Sequence, residues 1–240
     1  MKKILLGTTM MVAVAGLLVA GAAQAADLPT KAPLYKAPPA YFSWAGWYLG
    51  ASIGGAFGHD RILDVAELAG TRYSNNPSGV FGGGQIGFNF QSGQFVWGIE
   101  ADLGGMGLSK TTGEPGAPTI LFTTIRSGFY GDVTGRLGVA AWDQTLLYAK
   151  GGFAFFDGRI TQTDVGEATF GKSSHSGWTI GGGVEQMLSS PGWSWKLEYL
   201  HFDFGRFNNV NPADTPDVYR NRFTVDTVKA GINYHFGARY

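Results

Sequence analysis

The chain runs to 240 residues, with 18 basic and 18 acidic side chains, a formal net charge of zero and no cysteine. No basic tract offers a nucleic-acid surface, and the lack of cysteine excludes both a lipidated cysteine anchor and a disulfide framework. The 38 glycines lack the three-residue period of collagen, and an aromatic content of 14% argues against a disordered glycine-rich chain.

Lys2 and Lys3 precede a mostly apolar run over 4–19, and Ala23-Gln24-Ala25 supplies a small-x-small site. This is the pattern of a secretory signal peptide over 1–25, cut between Ala25 and Ala26. A transmembrane anchor is the competing reading, but the run is short and ends at a cleavage site. No other stretch approaches the ~18 apolar residues of a spanning helix. Residues 26–45 are rich in Pro and Ala and read as an extended periplasmic lead-in outside any core.

Eight segments with period-2 alternation follow. Segment 46–57 puts Trp47, Leu49, Ala51, Ile53 and Phe57 on one face. Segment 80–90 alternates Ile86, Phe88 and Phe90 with Gln85, Gly87 and Asn89. In 95–103, Phe95, Trp97, Ile99, Ala101 and Leu103 oppose Glu100 and Asp102. In 129–140, Phe129, Val133, Leu137 and Val139 oppose Asp132, Thr134 and Arg136. Segment 146–156 sets Leu147, Ala149, Phe153 and Phe155 against Tyr148 and Lys150. Segment 178–188 sets Trp178, Ile180, Val184 and Leu188 against Thr179 and Glu185. In 193–204, Trp193, Trp195, Leu197 and Tyr199 oppose Lys196 and Glu198. The last segment begins near Arg222; its run 228–236 carries Val228, Ala230, Ile232, Tyr234 and Phe236 opposite Lys229, Gly231, Asn233 and His235.

About nine residues is the length a tilted strand needs to cross a bilayer. Such a strand cannot stand alone, because its unpaired backbone groups would face hydrocarbon. The expected fold is therefore all-β: an eight-stranded antiparallel up-and-down transmembrane β-barrel over 46–240. The connections 91–94, 141–145 and 189–192 are tight, whereas 58–79, 107–128, 157–177 and 205–221 are long and polar. That asymmetry matches short periplasmic turns and long extracellular loops, with both termini periplasmic. A mean hydropathy near zero fits too, since lumen and loop residues offset the apolar belt.

The apolar faces, with Trp and Tyr near segment ends, are expected to meet lipid. The opposite faces collect Glu100, Asp102, Asp132, Arg136, Lys150, Glu185, Lys196, Glu198 and Lys229 as a lumen charge network. An eight-stranded barrel is just wide enough for side chains to fill it. Gly98, Gly138, Gly152 and Gly231 are expected to leave room for the long charged chains, which must pair because a lone buried charge is costly. Glu100 and Asp102 could form a carboxylate pair for acid–base work, yet four nearby bases favour salt bridges. His59 and His175 fall in expected loops and His201 and His235 near strand ends; none has metal-ligand spacing. Gly82-Gly83-Gly84 lacks the following Lys-Ser/Thr of a phosphate loop. No catalytic residue, metal site or cofactor is assigned.

The segments FSWAGWYLGASIGGAFG, GGGQIGFNFQSGQFVWGIEADL, TGRLGVAAWDQTLLYAKGGFAF, GWTIGGGVEQML, WSWKLEYLHFDFG and FTVDTVKAGINYHF together resemble the small outer-membrane β-barrel proteins of alphaproteobacteria, often described as outer-membrane immunogenic or porin-family proteins. The resemblance covers about 41–236 and the AADLPTKAP lead-in. It implies the bacterial outer membrane as location, surface exposure as an antigen and a role in envelope integrity, with pore activity claimed for some members. It also implies recognition of a terminal aromatic by the outer-membrane insertion machinery. Phe236 matches that position, although the chain continues to Tyr240. The remaining expected partners are outer-membrane lipid and lipopolysaccharide; the sequence sets no oligomeric state. The leading reading includes a narrow pore, and two alternatives stay open. One is an outer-membrane lipid-modifying enzyme, for which His201 with a loop serine is the single candidate. The other is a soluble lipocalin-like barrel with its apolar faces inward.

Overall fold

The computed structural model describes residues 42–64, 70, 72–114, 117–142, 144–164, 170–172, 174–210 and 218–236. The signal-peptide cleavage site at Ala25 and Ala26, the lead-in as far as residue 41, and Tyr240 lie outside the described residues. The strands are β1 (Gly46–Asp64), β2 (Arg72–Asn75), β3 (Ser78–Ser92), β4 (Phe95–Met106), β5 (Lys110–Glu114), β6 (Ala117–Trp142), β7 (Thr145–Asp164), β8 (Phe170–Lys172), β9 (His175–Met187), β10 (Trp193–Val210) and β11 (Val218–His235). Eight of them form the wall, in the order β6-β4-β3-β1-β11-β10-β9-β7, and pairing of β6 with β7 closes the ring. The first and last wall strands pair antiparallel from Tyr48↔His235 to Asp64↔Tyr219. β2, β5 and β8 are short ladders added at the long-connection end.

Alternation in the sequence becomes two faces of the wall. On β10, Leu197 is 47% exposed, while its neighbours Lys196 and Glu198 are 0% and 1% exposed. Outside, Trp47, Ile53, Trp97, Ile99, Leu137, Ile180 and Ile232 form a continuous apolar belt. An apolar surface of that extent is far beyond what a water-soluble monomer tolerates, so the solvent it requires is hydrocarbon.

The tight connections lie at one end. Gly93, at φ +58°, turns β3 into β4. At the other end the polar stretches are largely β-ladder and not irregular loop. β1 continues to Asp64, β7 to Asp164 and β10 to Val210, while β6 starts at Ala117 and β11 at Val218. Inward positions there are largely apolar, as at Ile62, Ile125, Phe207 and Phe223, with Asp60, Asn75, Thr123 and Asn221 buried among them and Asn221 donating to Asp60 Oδ2 at 2.9 Å, while outward positions are polar, as at His59, Arg61 and Arg222. The strands therefore rise beyond the belt on a core of their own. His59 and His175, expected in loops, sit on β1 and β9.

The interior has three layers. At the turn end, Trp44, Val96, Ala140, Leu146, Tyr148 and Met187 pack together, with Phe42 against them. At the far end, Phe81, Tyr130, Phe156, Phe202, Phe204 and Phe223 belong to a larger apolar cluster. The nine ionic residues of the expected network lie between the two.

Candidate functional site in the barrel lumen and on its outer rim

Each ionic side chain enters the lumen from an inward position of a wall strand: Glu100 and Asp102 from β4, Asp132 and Arg136 from β6, Lys150 from β7, Glu185 from β9, Lys196 and Glu198 from β10, and Lys229 from β11. All nine are buried. Lys150 Nζ lies 2.6 Å from Glu100 Oε1, 3.0 Å from Asp102 Oδ2 and 3.2 Å from Glu198 Oε1. Lys196 Nζ is 3.1 Å from Glu100 Oε1, and Lys229 Nζ is 2.8 Å from Asp102 Oδ1 and 2.9 Å from Glu198 Oε1. Arg136 pairs with Glu185 and lies 3.8 Å from Glu100. Its guanidinium sits 3.8 Å from the centroid of the Tyr148 ring, an attraction of cation to π-face. Asp132, opposite Asp102 in the β4–β6 ladder, has no hydrogen-bond partner for either carboxylate oxygen among the described residues.

Neutral polar groups complete the lattice. Tyr48 donates to Glu100 Oε2 at 2.7 Å and Tyr148 donates to Glu198 Oε2 at 2.8 Å. Glu185 Oε1 accepts from Ser194 at 2.6 Å and from Asn233 at 2.7 Å, with His235 Nε2 at 3.0 Å. Gln85 donates to Asn233 Oδ1 at 2.8 Å, so all eight wall strands contribute to one connected network. Of the four glycines expected to make room, a Cβ at Gly231 would meet Lys196 Cε, while one at Gly98 would meet Asn89, at Gly138 Leu146, and at Gly152 backbone. Gly87 and Gly183 instead make room for the rings of Tyr48 and Tyr148.

The turn-end closure uses Trp44, which falls in the lead-in as read from the sequence but is buried here. Its backbone N–H donates to Gln91 Oε1 at 2.6 Å, and its ring meets His235 edge-on at 5.5 Å. The opposite closure stacks Phe202 on Phe204 at 6.0 Å and Phe204 on Phe223 at 5.8 Å. His175, buried, lies 4.5 Å from the Phe207 ring.

On the outside, just beyond the belt, Asp226 accepts from Tyr199 at 2.6 Å, with His201 Nδ1 at 2.8 Å and His59 Nδ1 at 3.8 Å. Among the described residues the partners of His201 are thus a carboxylate and the Trp178 ring 5.7 Å away, not a serine. Among the described residues no group of three or more His, Asp or Glu side chains is arranged to hold a metal ion. Phe236 is exposed beside Tyr234, and its N–H donates to Trp47 O at 2.9 Å.

A family model described as outer membrane protein beta-barrel domain matches residues 12–236. This chain belongs to that family. It is 30% identical to the 31 kDa outer-membrane immunogenic protein of Brucella melitensis biotype 1 over 237 residues, covering 91% of this chain and 95% of the relative. It is also 30% identical to the 22 kDa outer membrane protein of Rhizobium leguminosarum bv. viciae over 196 residues, covering 81% and 79%. Among solved structures it is similar to the outer membrane protein OprG from Pseudomonas aeruginosa, with a TM-score of 0.48, 12% identity and coverage of 80% of this chain and 97% of that one. The protein is an integral β-barrel of the bacterial outer membrane.

Proposed function

We propose that this outer membrane β-barrel serves the envelope as a sealed, non-enzymatic structural barrel, not as an open channel. The observation that carries the reading is the fully buried ionic lattice held between two apolar layers. Water-filled porins use 16–18 strands; eight strands here enclose a lumen occupied by Arg136, Lys150, Lys196 and Lys229 and their acids. The belt outside speaks against a soluble lipocalin-like carrier, and the partners of His201 among the described residues, Asp226 and the Trp178 ring, do not supply the serine a hydrolase would need. In this reading residues 1–25 direct export, cleavage falls between Ala25 and Ala26, and Phe236 presents the aromatic side chain read during insertion. The belt then meets outer-membrane lipid, and the rim above it meets lipopolysaccharide. Refolded protein in a planar bilayer is expected to give no large, stable conductance. A reproducible open state of porin size, or altered lipid A after deletion of the coding gene, would overturn the reading.

A further inference from the structure

Three arginines stand side by side on the outer wall beyond the belt. Register pairs Arg61 of β1 with Arg222 of β11, and Arg222 with Arg206 of β10. Same-face cross-strand neighbours have Cβ atoms roughly 4.5–5.5 Å apart, where like charges repel. One step further from the belt, Arg220 and Arg72 flank Leu63 on either side. All five are exposed. Together they line a recess of about 660 Å³ with Leu63, Tyr73 and Ser74 in its wall. Arginine keeps its charge at any physiological pH, so the row cannot relieve itself by losing a proton.

Among the described residues, acids leave most of the row unpaired: of the five arginines only Arg222 has an ion pair, with Asp203 at 2.8 Å. The next acid toward the belt, Asp226, is engaged by Tyr199, His201 and His59.

The backbone is also bent to complete the row. On β10, Phe202 and Phe204 point inward, so plain alternation would send Arg206 inward too. A register shift between Asp203 and Arg206 changes the parity. It centres on Gly205, at φ +74°, whose N–H donates to Asp203 Oδ1 at 2.8 Å. A bulge of this kind re-aims the side chain that follows it, and here it delivers Arg206 beside Arg222.

The position selects the ligand. Arg61 lies four residues past the belt residue Phe57, and Arg222 six residues past Val228. At ~3.3 Å per residue and a tilt near 40°, the row stands roughly 10–15 Å above the last apolar ring. It faces sideways into the leaflet, at the level of a glycolipid headgroup, with room for acyl chains against the belt below. Guanidinium forks match phosphate oxygens in bidentate geometry.

We propose that Arg61, Arg206 and Arg222, flanked by Arg72 and Arg220, form a binding site for the phosphate groups of an anionic glycolipid headgroup in the outer leaflet. This rests on reading the rim as the face that meets lipopolysaccharide. The test uses the full mature chain, refolded in dodecyl maltoside micelles, and follows thermal unfolding and lipid binding. Bisphosphorylated lipid A is expected to bind and to raise the melting temperature, whereas dephosphorylated lipid A gives a much smaller shift. Arg61→Gln/Arg206→Gln removes two charges from the repelling row, so the lipid-free variant is expected to be at least as stable as the parent. Its affinity for bisphosphorylated lipid A is expected to fall at least about tenfold, the loss of roughly one charge-assisted hydrogen bond or more. Equal binding by parent and variant, or equal response to both lipids, overturns the proposal. Saturation of the site by inorganic phosphate alone, with no added response to lipid A, overturns its assignment to a lipid. The comparison of the two lipids on the parent protein needs no variant. A parent that folds and inserts but ignores phosphorylation refutes only the arginine site; a parent that fails to insert into bilayers refutes the barrel reading itself.

Discussion

Glu100 and Asp132 face the same lumen from adjacent strands, yet their surroundings differ sharply. Glu100 accepts from Lys150, Lys196 and Tyr48 and lies near Arg136. Asp132 accepts no hydrogen bond from a described residue and stands opposite another acid, Asp102. Removing one partner of a buried ion pair costs about 3–5 kcal/mol, because the stranded charge has lost its water. Glu100→Gln removes the carboxylate shared by two lysines and leaves Lys196 only its 3.8 Å approach to Glu198, and it is expected to cost about 3 kcal/mol in urea unfolding from lipid vesicles. Asp132→Asn relieves a repulsion and is expected to stay within about 1 kcal/mol of the parent. Equal losses would mean that the network acts as a diffuse charge and not through the pairs described. Alternation alone separates the ionic residues from the belt, since every charge but Glu185, which precedes Gln186, sits between neighbours that are apolar or glycine. It gives no hint that Tyr48, Ser194, Asn233 and His235 link them, because neutral polar residues at inward positions look the same whether they bond or merely fill space.

Strand β10 shows how far a period of two can be read. From Trp193 to Tyr199 each odd residue is exposed and each even residue buried. Leu197 lies mid-way along that run, flanked by lumen residues on both sides. Leu197→Arg is expected to cost roughly 2–4 kcal/mol, the depth-dependent penalty for a cation at the bilayer midplane. The check is unfolding in lipid vesicles. A loss no larger than that of a rim substitution such as Asn208→Arg would place Leu197 away from lipid. Beyond Phe204 the same pattern ceases to be legible. The bulge at Gly205 reverses parity, and polar outward residues make a rising ladder look like a loop. The short ladders β2, β5 and β8 were hidden for the same reason: each has only three to five residues, and their pairing depends on long-range register, not on a local apolar face.

At the scale of the whole molecule, the barrel is closed twice across its bore, by different means. The turn end uses Trp44, whose place in a Pro/Ala-rich stretch gave no period from which burial could be read; only the fold brings it under His235. The far end uses stacked phenylalanines on β10, β11 and β7, supported by strands that outrun the belt. Removing a buried tryptophan costs about 3–5 kcal/mol through lost burial and the cavity left behind, so Trp44→Ala is expected to lower stability by that order. Conductance is expected to stay absent, because ions entering from the turn end still meet the salt-bridged layer and then Phe204 and Phe223. Adding Phe204→Ala and Phe223→Ala exposes the ionic layer to water from both ends, and the triple variant is expected to leak ions in a planar bilayer where the single variant does not. A stable channel from Trp44→Ala alone would place the whole seal at the turn end and leave the aromatic layer with a purely structural part: filling the extracellular ladders so that they can stand above the membrane.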